Sequence, residues 1–277
     1  MPTPVELRDQ RASIPRPTPT STATVEVTTE NVGGVHCVVC QPEESLATLV
    51  HLHGGGFRLG SAAGSAAFGT RIADAAHVRV VLVDYALAPE HPFPAGLRDA
   101  LHVYDAVRAK ASSLPVLVGG DSAGGGLATS LVVAALAVDL PRPRGLVLFS
   151  PWLDLTVSAD SYQARAQSDM LFSAASATAA ADLYLQGWDP RDPLASPLFA
   201  DHHDFPPTLL FVGSEEVLLD DALALTNALS GAGSTVTLHS AAGMQHVWPT
   251  IWPELPESQT ALRLLAAFVA DLHTKTD

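Results

Sequence analysis

Ser122 stands in the run LPVLVGGDSAGGGLA with a glycine two residues to either side, a G-x-S-x-G pattern over 120–124. An apolar strand-like stretch precedes it and an apolar helix-like stretch follows. A serine at such a sharp strand-to-helix turn projects its hydroxyl above the sheet, beside the N–H of Ala123 and the positive end of the helix. A plain glycine-rich turn is the bland alternative; the flanking elements and the extra Gly125 favour a nucleophile. A serine hydroxyl attacks poorly near neutral pH unless a base takes its proton, and that base needs an acid to orient it.

The base is His246, in SAAGMQHVWP after the last strand-like run. His239 lies inside that run, His202 and His203 in an inserted segment, and His273 near the C-terminal end. The stretch TLLFVGSEEVLLDDAL offers four acids. Glu215 and Glu216 fall in a strand-to-helix loop, where an orienting acid belongs. Asp220 and Asp221 fall in the first turns of the helix, where acids favour the dipole. Attack on an ester carbonyl also builds negative charge on its oxygen, which fixed N–H donors stabilise. HGGG (53–56), directly after a buried strand, supplies such donors on a loop without obstructing side chains. With Ala123 N–H it makes a three-donor oxyanion hole.

These residues need a rigid frame. Short apolar runs at 48–53, 78–85, 114–120, 145–151, 208–214 and 235–241 show little alternation, as in strands covered on both faces. Helical patterns from Ala95, Leu127, Val217 and Ser258 alternate with them, which implies a mostly parallel sheet. Two earlier strands, TATVEVTT and GVHCVVCQ, have period two. Residues 1–20 carry five prolines and read as an irregular arm, leaving 21–277 as the main domain. Residues 155–200 hold no strand and read as a helical cap inserted over one edge of the sheet. Cys37 and Cys40, three apart in a strand, point to opposite faces and read as core packing rather than a redox or zinc pair.

The 277 residues are 47% hydrophobic, enough for a large core, with net charge −14 and no basic run, which argues against a nucleic-acid partner. No run reaches the length of a membrane span, and the N-terminus lacks a secretory pattern, so a cytoplasmic protein is expected.

Taken with HGGGF (53–57), DYALAPEHPFPA (84–95), GDSAGG (120–125), SPWLDL (150–155), DPLASPL (192–198) and QHVWP (245–249), the sequence resembles the hormone-sensitive lipase family of α/β-hydrolase esterases, of the bacterial carboxylesterase type, over roughly 45–270. The resemblance implies an α/β-hydrolase fold with helices on both faces of the sheet and a small cap. It implies oxyanion donors at Gly55 and Gly56 and, through E-V-L-L-D over 216–220, Glu216 as the acid with Asp220 next. The family's usual acid is Asp. Phe57, Trp152, Leu171, Phe172 and Trp248 are candidate pocket residues, with Met170 and Trp188 as further candidates; packing within the cap is the other reading of several. Neither a metal nor an organic cofactor is implied. The expected partner is a small-molecule ester, with a homodimer as the candidate assembly. The activity implied is hydrolysis of short-chain or aryl carboxylic esters. A lactone, amide or carbamate hydrolase, and a ligand-binding receptor of the gibberellin-receptor kind, are the rival readings.

Overall fold

The structure is a computed structural model that describes residues 4–13, 18–111 and 114–274. Among these residues eight strands form one sheet in the order β1-β2-β4-β3-β5-β6-β7-β8. β1 (Val25–Val32) and β2 (Val35–Pro42) pair antiparallel, and β2 is antiparallel to β4 (Val78–Val83). From β4 onward every pairing is parallel, through β3 (Ala47–Leu52), β5 (Val116–Asp121), β6 (Leu146–Phe149), β7 (Thr208–Gly213) and β8 (Val236–Ala241).

The two-residue period of each strand divides its side chains between two cores. Leu49, Leu117, Val147, Phe149 and Phe211 enter one; Val50, Leu52, Val118, Leu148 and Leu210 enter the other. Helices α2 (Ala62–Ala76) and α9 (Pro256–Thr274) cover the first. Helices α3 (Ala95–Lys110), α4 (Ala123–Ala137) and α7 (Leu219–Gly231) cover the second. Cover on both faces is the reason the parallel strands lack alternation. Cys37 and Cys40 are free, buried, and divided between the two cores, as their spacing requires. Burial raises both thiols, Cys37 to about 12.

The N-terminal arm reads as irregular from its prolines with one weak helix in VELRDQRASI, and the structure places α1 there, over Pro4–Ser13. Pro4 opens the helix, where its missing N–H has no intrahelical acceptor to lose. Leu7 is fully buried. Arg11 then fastens α1 to the rest of the protein, donating to Arg58 O (2.6 Å), Glu90 Oε2 (2.8 Å) and Ala88 O. Pro2, Ile14, Pro15 and Pro17 lie outside the described residues.

Residues 155–200 contain α5 (Ser161–Ala164), α6 (Ala174–Leu185) and a 3-10 turn at Pro197–Phe199, with no strand. Helix α6 closes down on the glycine loop: Tyr184 stacks on Phe57 with ring centroids 4.0 Å apart. A last short helix, α8 (Trp248–Ile251), leads into α9.

Candidate active site

β5 passes the chain to α4 through a single residue. Ser122 has φ 55° and ψ −123°, a backbone conformation that a non-glycine residue keeps only when its surroundings hold it. Its N–H donates to Phe149 O of β6 (2.9 Å), and its carbonyl accepts from Gly125, Gly126 and Trp152 N–H at 3.0, 3.2 and 3.0 Å. A Cβ at Gly124 would lie 2.0 Å from Leu52 O, so the glycine is required where α4 crosses β3 in backbone contact.

Two later loops at the same edge of the sheet meet Ser122. His246, after β8, lies with Nε2 2.9 Å from Ser122 Oγ and Nδ1 2.9 Å from Glu216 Oε2, after β7. The other carboxylate oxygen of Glu216 accepts from Ser150 Oγ–H (2.7 Å) and Gly213 N–H (2.5 Å). A carboxylate surrounded by donors can only accept, so His246 Nδ1 carries the hydrogen and Nε2 is left to accept from Ser122. Burial alone would lower the His246 pKa, but the hydrogen bond and charge of Glu216 outweigh it and the net shift is upward. Burial pushes the Glu216 carboxyl up, against the pull of His246, Ser150 and Gly213.

Of the four acids in this stretch, the structure brings Glu216 to His246. Asp220 instead accepts from Ser161 N–H (2.8 Å) at the start of α5, and Glu215 accepts from Ser214 Oγ–H (2.9 Å). Asp221 is buried and accepts from the N–H groups of Leu153 and Asp154 (2.8 and 3.1 Å).

The glycine loop follows β3. Gly54 N–H donates to Asp121 Oδ2 (2.9 Å), whose other oxygen meets His51 Nε2 at 3.0 Å. Asp121, immediately before the serine, therefore ties this loop to the serine turn. Gly55 has φ 120°, and a Cβ there would lie 2.3 Å from Leu59 O. The Gly55 carbonyl accepts from Arg58 and Leu59 N–H (3.2 and 2.9 Å), folding the loop back on itself. Among the described residues the N–H groups of Gly55, Gly56 and Ala123 make no hydrogen bond. The loop is backed by Tyr85, which donates to His53 O (2.7 Å) and stacks on the His53 ring at 4.4 Å.

A cavity of about 400 Å³ opens on Ser122, His246, Gly55 and Gly56, with Leu171 and Phe172 on its cap side. Three other expected pocket residues do not line it. Phe57 is sandwiched between Tyr184 and Trp152. Trp152 is buried behind Phe172, its indole N–H donating to Asp154 O at 3.0 Å. Trp248 is fully buried in the opposite core. In each case a large ring finds more apolar contact in the core than at the cavity wall. Met170 and Trp188 are exposed instead. The sequence reading missed Arg58, Ser65, Ser176 and Val247, which also line the cavity. It also missed the positioning groups. Ser150, within the SPWLDL motif, bridges Glu216 and Val247 N–H (3.0 Å). Asp169 accepts from Leu171 and Phe172 N–H through one oxygen and from Val217 N–H through the other.

The fold and this hydrogen-bonded chain of serine, histidine and glutamate define an α/β hydrolase. Residues 49–250 match the family described as alpha/beta hydrolase fold, and the chain belongs to that family. An acetyl-hydrolase of Streptomyces hygroscopicus is 40% identical over 223 residues, 80% of this chain and 75% of the relative. An esterase of Acinetobacter venetianus is 34% identical over 252 residues, 90% of this chain and 83% of its own. Among solved structures, EstE5 soaked with p-nitrophenyl butyrate superposes with a TM-score of 0.90 at 32% identity, covering 98% of this chain and 93% of that one. An esterase from the bacterial hormone-sensitive lipase family superposes with a TM-score of 0.87 at 34% identity, covering 99% and 100%. These relatives match the resemblance carried by the motifs, and the enzyme class they support is carboxylic-ester hydrolysis. Among the described residues no helix is long and apolar enough to cross a membrane, and no group of three His, Cys, Asp or Glu residues is placed to hold a metal ion.

Proposed function

We propose that the protein is a serine carboxylesterase acting on short-chain or aryl esters by two-step acyl transfer. The observation that carries the reading is the 2.9 Å and 2.9 Å relay from Ser122 through His246 to Glu216, beside three N–H groups with no acceptor among the described residues. Ser122 attacks the ester carbonyl as His246 Nε2 takes its proton. The oxyanion rests on Gly55, Gly56 and Ala123 N–H. His246 then protonates the leaving alcohol, and a water activated by the same imidazole releases the acid from Ser122. A cavity of about 400 Å³ near the lower end of small-molecule sites suits a short acyl chain or a single ring.

The test is a panel of p-nitrophenyl esters of increasing acyl length, run beside Ser122→Ala. Turnover highest for short acyl chains, lost by about 10⁴-fold or more in the variant, is expected. Turnover that survives the substitution removes Ser122 from the chemistry. Folded wild type without turnover shifts weight to the receptor reading. The reading also includes 21–277 as the catalytic domain with 155–200 as its cap, a cytoplasmic location, and a homodimer. Half-exposed β8 at the sheet edge supports the homodimer. Light scattering in solution checks it.

A further inference from the structure

Arg58 directly follows the glycine loop and lines the cavity that holds Ser122 and His246. A Cβ on Gly56 would lie 3.6 Å from its Nε and 3.9 Å from its Cγ, so the side chain runs along the backbone of the proposed oxyanion donors. Its Nε is shut off from solvent and has no hydrogen-bond partner among the described residues. Among the described residues its guanidinium makes no ion pair. Arg11, Arg79 and Arg108 are by contrast paired with Glu90, Glu30 and Asp105, and Arg71, which shares the unpartnered Nε, donates to two backbone carbonyls away from the cavity. The carboxylate on the cavity wall, Asp121, is engaged through both oxygens by His51 and Gly54 N–H.

The position of Arg58 is fixed from behind. Its carbonyl accepts from Arg11 Nε and its N–H donates to Gly55 O. Burial lowers its pKa, with no acidic neighbour acting on it. An arginine nonetheless stays charged in proteins, and a partly desolvated cation without a partner is unfavourable until an anion meets it. With Nε shut off, it is the two terminal nitrogens of its planar fork that match a carboxylate with two parallel hydrogen bonds. The overall charge of −14 repels anions at long range, but physiological salt screens that beyond about 8 Å, so the contact inside the cavity decides.

We propose that Arg58 is a specificity residue that receives a carboxylate on the substrate, so that the preferred esters carry a free carboxylate a few bonds from the scissile carbonyl. The proposal rests on the ester-hydrolase reading and names its substrate class. Leu171 and Phe172 supply the apolar wall for the carbons between the two groups. Hydrolysis itself is unchanged: water adds, the ester C–O bond breaks, and the carboxylate is a spectator that orients the molecule.

Two matched pairs test it, each rate normalised to hydroxide hydrolysis. The charge sits on the acyl side in 4-nitrophenyl hydrogen succinate against 4-nitrophenyl butyrate. It sits on the leaving side in 4-acetoxybenzoate against p-tolyl acetate. Wild type is expected to favour the charged member of one pair, which also assigns the side. Arg58→Gln is expected to reduce that ratio of kcat/KM roughly tenfold or more, mainly through KM, and Arg58→Lys to restore part of it. No preference for the charged member in either pair, or an equal loss on both members in Arg58→Gln, overturns the assignment and leaves the esterase reading standing. Absence of Ser122-dependent turnover of every ester overturns both.

Discussion

Glu216 fills a position where the resembling family usually carries Asp, and its carboxylate is held through both oxygens. Ser150 Oγ–H and Gly213 N–H grip one oxygen, which leaves the other free to meet His246 at 2.9 Å. Ser150 itself sits at φ 48°, so a strained residue orients the acid. This arrangement fixes which imidazole nitrogen is protonated. Glu216→Gln presents an amide to His246, allows the other tautomer, and removes the acceptor that Ser122 needs. A loss of about 10⁴-fold in kcat/KM is expected, because the wrong tautomer disables the base. The acid limb of the wild-type pH profile should lie above the ordinary histidine value of about 6.5, since the charge of Glu216 raises His246. Protonated His246 cannot accept from Ser122, so activity falls as pH drops through that limb. In Glu216→Gln the residual activity should show a limb moved to lower pH. Asp220→Ala, which removes the contact to Ser161 N–H and touches neither His246 nor Ser122, should cost far less. Equal losses in the two variants would take the acid's role away from Glu216.

At the scale of elements, the cap is joined to the loops that carry the acid and the histidine. Asp169 gathers Leu171 and Phe172 N–H (3.0 and 2.9 Å) on one oxygen and Val217 N–H (2.9 Å) on the other. Gln245, beside His246, accepts from Met170 N–H (3.1 Å) and donates to Ser168 O (2.9 Å). The Phe172 ring lies stacked on His246 at 5.6 Å. Asp169→Ala leaves the buried Val217 N–H unpaired, at a cost of about 1–3 kcal/mol, and frees the cavity wall. Expected are a lower midpoint in urea and a rise in KM for the best ester; an unchanged KM would show that the cap wall is set by packing alone. The sequence announced some elements and hid others, for physical reasons. Helix α3 stands over Ala95–Lys110, where its apolar period predicted it. Helix α2 carries no such signal: AAGSAAFGTRIADAA is mostly small residues, and its start depends on Ser61 Oγ accepting from Gly64 N–H (3.0 Å). A large aromatic ring near the site does not declare pocket or core in one dimension, which is why Phe57 and Trp248 read as pocket residues and Trp152 as either.

Across the whole molecule, what was legible in the sequence is what a local pattern can carry. Parallel strands buried on both faces leave apolar runs, and the glycines around Ser122 mark a turn by their spacing alone. What holds the site together is not local. Gly54 and Asp121 are 67 residues apart, Ser150 and Glu216 66, and Arg11 and Arg58 47, so each pairing needs the folded sheet to exist. Asp221 belongs to this class: it read as a helix-start acid, yet it sits fully buried and pins the N–H groups of Leu153 and Asp154 to α7. One of its oxygens, Oδ1, has no partner. Burial, opposed by those two N–H groups and helped by the nearby charges of Asp154 and Asp220, raises its pKa to about 7, against about 3.9 in an unfolded chain. A raised folded pKa means the acid is more stably buried when neutral. Its stabilising contribution is present below the unfolded value and is lost as pH rises through about 7. Asp221→Asn keeps an oxygen to accept from Leu153 and Asp154 but never acquires a charge. The variant should therefore gain on the wild type as pH rises from 5 to 8, by roughly 5–10 °C in melting temperature for a shift of this size. Groups that do not interact with Asp221 cancel in that difference; Asp154 and Asp220, whose charges act on it, do not. Parallel melting curves across this range would mean that Asp221 stays ionised in the folded protein and that the two backbone donors suffice to hold its charge.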